Sequence, residues 1–551
     1  MFDARLRWPM VTVILAATLP YLPVITDYFV QDDFGTVYIL TERPWTTFPR
    51  WFTMPWMEYI WGYTPDEIRP FVAFSYQLTG KFTASRPELH HIVNIAFHAG
   101  NALLVMAIAR LAIGLTPLAA AFAGIVFAVL PSGVESAAWI TGRVDSMPAF
   151  FYLATFLAYV RWRLEGRRSL YSWSLVLFFV TLFSKQNAIT MAASIAAFDL
   201  LVLERERRGT IASAVAAWTP FVVMTIGYLL LRRALLGHTV RGGVTAWHQV
   251  ETFLGIVWRH FNRVALGHAP PVAAWEVWFL VAIGVLAVIV AWRGFGTPDL
   301  PAVAKAIAGS RRSASRVGGK VGPTGVLLCF VIGWWWIGAA PAIVAGYESP
   351  RHVYLASAAW AFLLAMILQW GLARVSRPAI RIAVAATAVA VVALYSIRLH
   401  QTLQTWHLLA RISKSAVERV NEEAVAAPPG TLILMRLPVK SWEWGIPFVL
   451  RPPYQTWDLT TKVRVVAPWQ LYCCGTQQWG DYAREHLRAW TASSPRAPLV
   501  ALNFDSRTGA VTRVTDAQEP ELAALVPVLL QTDTAEAMDL ALVRMMDKFV
   551  R

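Results

Sequence analysis

The sequence predicts a polytopic all-α membrane domain of about eleven transmembrane helices, followed by a small C-terminal soluble domain of α/β or α+β type. Three observations predict it. The 551 residues are 56% hydrophobic and only 15% charged, whereas a soluble domain carries about 25% charge. Long apolar runs recur from residue 10 to about 397, on the scale needed to cross a hydrocarbon core of about 30 Å. Beyond that point hydropathy falls and short strand-like and helix-like segments alternate. The same composition excludes a disordered chain, a coiled coil and a small disulfide scaffold.

The first run, Met10 to Val30, follows Arg5 and Arg7 and ends without a small-residue cleavage box, so it reads as a retained span. Further spans are expected at 89–110, 115–131, 146–162, 169–184, 188–203, 211–231, 273–292, 324–345, 354–372 and 379–397. The runs on either side of Lys185 are the shortest, and must recruit flanking residues or lie where the bilayer is thin.

The net charge of +15 would suggest nucleic acid in a soluble protein. Here the cations fall in alternate links: Arg110; Arg161, Arg163, Arg167 and Arg168; Arg205, Arg207 and Arg208. Later come Arg293, Lys305, Arg311, Arg312, Arg316 and Lys320, then Arg374, Arg377 and Arg381. That bias sets topology, with a cytoplasmic N-terminus, and removes nucleic acid as a partner. It places residues 31–88, 132–145, 232–272 and the tail on the outer face, together with all eleven histidines or the span ends that carry them. Chemistry on the outer face follows as the natural expectation. Cys329, Cys473 and Cys474 make no disulfide framework, and no Cys/His ladder suggests zinc.

The expected division is therefore a membrane domain over 1–397 and an outer-face domain over 398–551. In the latter, 431–436, 462–466 and 499–503 read as strands, and 518–530 and 534–549 as terminal helices. No 34-residue repeat is visible. The aromatic stretch Trp442 to Trp457 suits core packing, a membrane surface or a carbohydrate platform.

Ionisable residues at span ends are costly and need a reason. Asp32 and Asp33, just beyond the first span, could cap a helix, hold a divalent cation, or activate an acceptor hydroxyl as a general base. His91, Asn94, His98 and Asn101 recur at helical spacing and make one polar stripe, for a cavity or an interhelical network. The segment Glu135 to Asp145, with Trp139, Gly142 and Arg143, closes the next pair of spans; Arg143 could pair with Asp145 across Gly142. Lys185 and Arg351, the latter followed by His352 and Tyr354, are cations at the outer interface. They suit a lipid phosphate together with Arg143, or snorkelling from helix ends.

These segments, taken in order, resemble the C-type superfamily of membrane glycosyltransferases, which use polyprenyl-phosphate sugars. The likeness is strongest to the branch containing the transmembrane O-mannosyltransferases that act on cadherins, and their bacterial relatives. It is carried by Asp32-Asp33, Arg69-Pro70 with Phe74-Ser75-Tyr76, and His91-Ile-Val-Asn94 with His98. It continues through Phe127 to Pro131, Val134-Glu135, Trp139, Gly142-Arg143, Asp145, Ser184-Lys185 and Arg351-His352-Val353-Tyr354. The resemblance implies Asp32 as catalytic base, with Asp33 assisting or shaping the loop, and Lys185 and Arg351 near the donor phosphate. His91, Glu135, Arg143 and Asp145 match motif positions, and Asn94, His98, Trp139, His352 and Tyr354 would shape the site. It implies an inverting transfer to a hydroxyl of a glycan, lipid or protein at the outer face. No cofactor is required, although a divalent metal at Asp32 and Asp33 is compatible.

Two departures stand out. The tetratricopeptide array of the eukaryotic branch is not seen, and Gln186 replaces an acidic residue after Ser184-Lys185. These imply a different acceptor and, with the Ala/Arg-rich composition, a bacterial inner-membrane enzyme using undecaprenyl phosphate. Two other readings fit the spans: a lipid-linked substrate transporter or flippase, and a non-catalytic envelope-glycan assembly protein.

Overall fold

The computed structural model describes residues 4–57, 67–83, 86–239, 250–293, 324–437, 445–469, 476–505, 507–514 and 518–548. Lys305, Arg311, Arg312, Arg316, Lys320, Trp442, Trp444, Cys473 and Cys474 lie outside them. By compactness the chain divides into two units. One comprises Met1–Pro23 with His91–Leu403, the other Val24–His90 with Gln404–Arg551. The 49-residue helix Pro378–Ala426 runs through residue 398 without a break.

The first unit is all-helical and carries the spans. Among the described residues, seven helices are long and apolar enough to cross a membrane: Arg7–Thr26, Glu88–Leu111, Ile211–Leu236, Ala274–Trp292, Gly325–Ala345, Ser357–Arg374 and Pro378–Ala426. The pair Pro117–Val129 and Pro131–Ala138, bent by 57°, can supply an eighth. The expectation of eleven is therefore corrected, and the three segments that fall away have physical reasons. The predicted span 146–162 lies in helix Arg143–Glu165, whose ends carry Arg143, Asp145, Arg161, Arg163 and Glu165. Helix Arg168–Leu182 has 15 residues, about 22 Å of rise, short of a ~30 Å core. The predicted span 188–203 is a succession of 3-10, α and π turns over Gln186–Val202.

Helix Pro117–Val129 forms the centre of this unit, packed against Ala4–Thr18 and Ser357–Arg374. Its Ala- and Gly-rich sequence lets neighbouring backbones approach closely. A Cβ on Gly124 would stand 2.9 Å from the Ala102 carbonyl. Thr116 caps it by accepting the Ala119 N–H at 3.4 Å. At the other end of helix Arg143–Glu165, buried Asp199 pairs with Arg163 and accepts bonds from Tyr159 Oη at 2.7 Å and Trp218 Nε1 at 2.8 Å. Three helical segments are thereby locked together around one carboxylate, whose charge is compensated as burial demands.

The second unit contains a four-stranded sheet of β1 (Leu432–Arg436), β2 (Arg464–Val466), β3 (Leu499–Asp505) and β4 (Ala510–Arg513), in the order β2-β1-β3-β4. β1 is parallel to both neighbours, and β4 runs antiparallel to β3. Central β1 is a continuous apolar run, as a strand covered on both faces should be. Helix Thr476–Thr491 buries Trp479, Ala483, Leu487 and Trp490 along one face. It packs with helix Ala535–Asp547 and the sheet. Residues 24–90 belong to the same body: Tyr454 Oη donates to the Phe34 carbonyl at 2.8 Å and Ser413 Oγ to the Phe29 carbonyl at 2.6 Å. Asp27 pairs with His407 at 2.7 Å, while burial still raises the Asp27 carboxyl above its ordinary range. The exposed Trp457 is the one described tryptophan of the aromatic stretch.

Candidate functional site

Helix Glu88–Leu111 supplies the polar stripe, and its members are buried and bonded. Asn94 Nδ2 donates to the Trp139 and Ile140 carbonyls at 2.8 and 3.0 Å, while its Oδ1 accepts from Arg143 Nε at 2.8 Å. His98 bonds through Nδ1 to Tyr354 Oη at 2.7 Å and through Nε2 to the Ala128 carbonyl at 3.0 Å. Asn101 Nδ2 donates to the Ser146 carbonyl at 2.8 Å and to Tyr354 Oη at 3.1 Å. Burial pushes the Tyr354 phenol well above its ordinary range, so it acts as a neutral hydrogen-bonding group. The stripe therefore spends its polar atoms on fixing the 128–146 segment and Tyr354. His91 is buried at its start.

That segment is a chain of short turns, which is why it needs outside support. A 3-10 turn at Pro131–Gly133 leads into helix Val134–Ala138, and Gly142 precedes helix Arg143–Glu165. At Gly142 a Cβ would fall 2.1 Å from the Glu135 carbonyl oxygen, a backbone atom unable to move aside. Gly142→Ala should therefore destabilise the protein by about 1–3 kcal/mol or more. A melting temperature equal to that of the unaltered protein would disprove this close approach.

Around these turns four charged side chains of the first unit converge. Lys185 Nζ is paired with Asp145 Oδ1, and both side chains are more than nine-tenths buried. Arg351 Nε lies 3.7 Å from Asp145 Oδ2, and its Nη1 lies 3.9 Å from Glu135 Oε1. The Arg351 guanidinium also covers the Trp139 ring at 4.7 Å. Glu135 accepts from Ser349 Oγ at 2.5 and 2.6 Å and from the Arg351 N–H at 3.3 Å. His352 stacks on Tyr347 at 4.9 Å.

Lys185, Asp145 and Arg351 line a small cleft whose remaining wall combines apolar Pro148, Ala149, Ala188 and Leu355 with polar side chains such as Tyr152, Thr181 and Asn187. Two cations thus share one cleft with apolar side chains, a mixture compatible with an anionic group carried on a hydrocarbon chain. Arg351 lies 3.7–3.9 Å from Asp145 and Glu135, and a guanidinium carries five donors in a fork suited to planar anionic oxygens.

Of the sequence-predicted residues, Glu135, Trp139, Asp145, Lys185, Arg351, His352 and Tyr354 gather at or beside this cleft. Arg143, Asn94 and His98 form the supporting network. Asp32 and Asp33 belong to the second unit, at the start of helix Asp33–Glu42. Asp33 is fully buried and its Oδ2 accepts the Val30 N–H at 3.0 Å; Asp32 is half-buried at the N-cap position without a side-chain cap bond. Among the described residues, no three His, Cys, Asp or Glu side chains cluster to hold a metal ion. Ser349 and Tyr152 were missed by sequence reasoning. A lone Ser before Pro350, or a Tyr within an apolar helix, carries no local signal; their partners Glu135 and Ser194 are 214 and 42 residues away.

No family model matches the chain. It is similar in part to protein O-mannosyl-transferase TMTC4 of Homo sapiens, with 31% identity over 161 residues, covering 26% of this chain and 21% of that protein. Human protein O-mannosyl-transferase TMTC2 is 24% identical over 200 residues, covering 34% and 23%. The matched segments thus span about a fifth of the length of these relatives. Among solved structures, ArnT from Cupriavidus metallidurans bound to undecaprenyl phosphate aligns over 90% of this chain and 93% of its own, with 14% identity and a TM-score of 0.44. The arabinofuranosyltransferase AftD from Mycobacteria aligns over 91% and 35%, with 12% identity and a TM-score of 0.43.

Proposed function

We propose that this multi-pass membrane protein is a glycosyltransferase that moves a sugar from a polyprenyl-phosphate donor to an acceptor hydroxyl. The observation that carries this reading is the Lys185–Asp145–Arg351 group, with Lys185 and Asp145 buried, in a cleft that also presents the apolar side chains of Pro148, Ala149, Ala188 and Leu355. A lone buried ion pair is poor evidence of function, since its desolvation can outweigh its attraction. Here two cations and the Asp145 carboxylate line one cleft, Glu135 lies beside Arg351, and Asn94 ties the Trp139 carbonyl and Arg143 together behind them. The partial likeness to O-mannosyl-transferases supports the same class.

In this reading Lys185 and Arg351 hold the donor phosphate and stabilise it as it departs, the task preorganised cations perform best in a water-poor site. Arg143, held by Asn94 at the head of helix Arg143–Glu165, adds a third positive charge for the phosphate. Asp32 takes the proton of the acceptor hydroxyl as its oxygen attacks C1, in a single displacement that inverts the anomeric carbon. The phosphate leaves with the C1–O electron pair. Residues 1–397 form the membrane domain and 398–551 an outer-face domain, in a bacterial inner membrane with a cytoplasmic N-terminus. Undecaprenyl phosphate is the carrier and a hexose, such as mannose, the sugar.

The test is transfer of radiolabelled sugar from undecaprenyl-phosphate donors by the purified full-length protein, with envelope extract as acceptor. Label should move to extract only with intact protein. Label that crosses a vesicle membrane without leaving its carrier would instead identify a flippase.

A further inference from the structure

Arg351 sits on a 3-10 turn of four residues, Pro350–Val353, too short to fix a long guanidinium side chain by its own backbone bonds. The two residues before Pro350 are each held by a different element. Ser349 is bonded to Glu135. Glu348 is gripped by Arg259, from helix Val250–Leu266, with Nε to Oε2 at 2.8 Å and Nη2 to Oε1 at 2.6 Å.

We propose that Arg259 is a positioning residue for donor-phosphate recognition, its two-pronged bond to Glu348 setting the approach of Arg351 to the Lys185–Asp145 cleft. This rests on reading that cleft as the donor-phosphate site.

Three features support it. A planar fork on a carboxylate fixes orientation as well as distance, which a lysine ammonium would not do. The helix is shaped for the contact. It shows Leu254 and Trp258 outward at 57% and 47% exposure, while Gly255, one turn before Arg259, leaves room for the guanidinium, where a Cβ would stand 3.1 Å from Nη1. The pair is also about one-third exposed on each side, so it adds little to folding. An ion pair 89 residues apart in sequence that scarcely stabilises the fold still anchors the turn of a proposed ligand residue.

The Arg259 bond holds the Glu348 carboxyl below its ordinary range. The pair therefore persists from neutral pH downward and is lost only as pH falls through that lowered value.

The experiment measures binding of undecaprenyl phosphate to the full-length protein in nanodiscs, with melting temperature recorded for every variant. Arg259→Ala and Glu348→Ala should each weaken binding by roughly tenfold, with melting temperatures unchanged. Combining them should do no more than either alone, and the exchange Arg259→Glu with Glu348→Arg should recover much of the loss. Arg259→Lys should recover less than the exchange, since charge without the fork is insufficient.

If Arg259 touched phosphate itself, Glu348→Ala would bind as well as or better than the unaltered protein, and the exchange would be the weakest; that pattern overturns the proposal. Unaltered binding in Arg259→Ala overturns it as well. Failure of the unaltered protein to bind undecaprenyl phosphate refutes the donor-site reading itself, and this inference with it. Should an alanine variant not fold, Glu348→Gln, which keeps shape but not charge, gives the same comparison.

Discussion

Lys185→Met should lower transfer by about 10²–10³-fold and lower the melting temperature, and adding Asp145→Asn should restore the melting temperature but not transfer. The two effects should separate because the proposed function gives Lys185 two tasks. In the resting protein it neutralises Asp145, and both side chains are buried. Removing one member of a buried pair typically costs about 3–5 kcal/mol, because the other is left as an uncompensated charge. Asp145 would keep only the 3.7 Å contact with Arg351. Neutralising Asp145 as well removes that penalty, so the double variant should melt near the unaltered protein. The catalytic deficit should remain, since one of the two cations proposed to face the departing phosphate would be gone. A single preorganised donor of this kind is worth about 10²–10³-fold in rate. Transfer by the double variant at the unaltered rate would make the pair purely structural and remove the main support for a phosphate site.

The participants of this cluster are legible in the sequence because each is a charge at the edge of an apolar run. Their pairing is not. The sequence suggests that Arg143 and Asp145 meet across Gly142, yet both lie in helix Arg143–Glu165, where two residues are about 200° apart. Arg143 consequently turns to Asn94, and Asp145 to Lys185. The span count failed for a related reason. Apolar composition marks Arg168–Leu182 as membranous, but only the folded chain shows it to stop at 15 residues. In the second unit the apolar strands β1 and β3 are evident in sequence, whereas β4 is a four-residue edge strand without a repeating pattern. Helix Thr476–Thr491 was passed over despite its buried positions at intervals of four, four and three. Its Gln, Arg and Glu residues lower the average hydropathy that sets off the spans.

Asp32→Asn should lower the turnover rate by about 10²–10⁴-fold while leaving donor binding unchanged, and Asp33→Asn should spare both. The adjacent carboxylates differ in what surrounds them. Asp33 is fully buried, and its Oδ2 accepts the Val30 N–H across a turn in which Gln31 adopts φ 51°. That is the left-handed region, costly for a residue with a Cβ, so the turn depends on bonds that close it. An asparagine amide oxygen can accept the same N–H. Asp33→Ala cannot, and should cost about 1–3 kcal/mol through an unsatisfied buried donor. Asp32 is half-buried at the head of helix Asp33–Glu42, where the helix dipole favours a negative charge. It is the member of the pair whose charge, rather than whose shape, the proposed chemistry needs. Turnover by Asp32→Asn at the unaltered rate would exclude it as the base. A larger loss in Asp33→Asn, at an unchanged melting temperature, would move that role one residue along the chain.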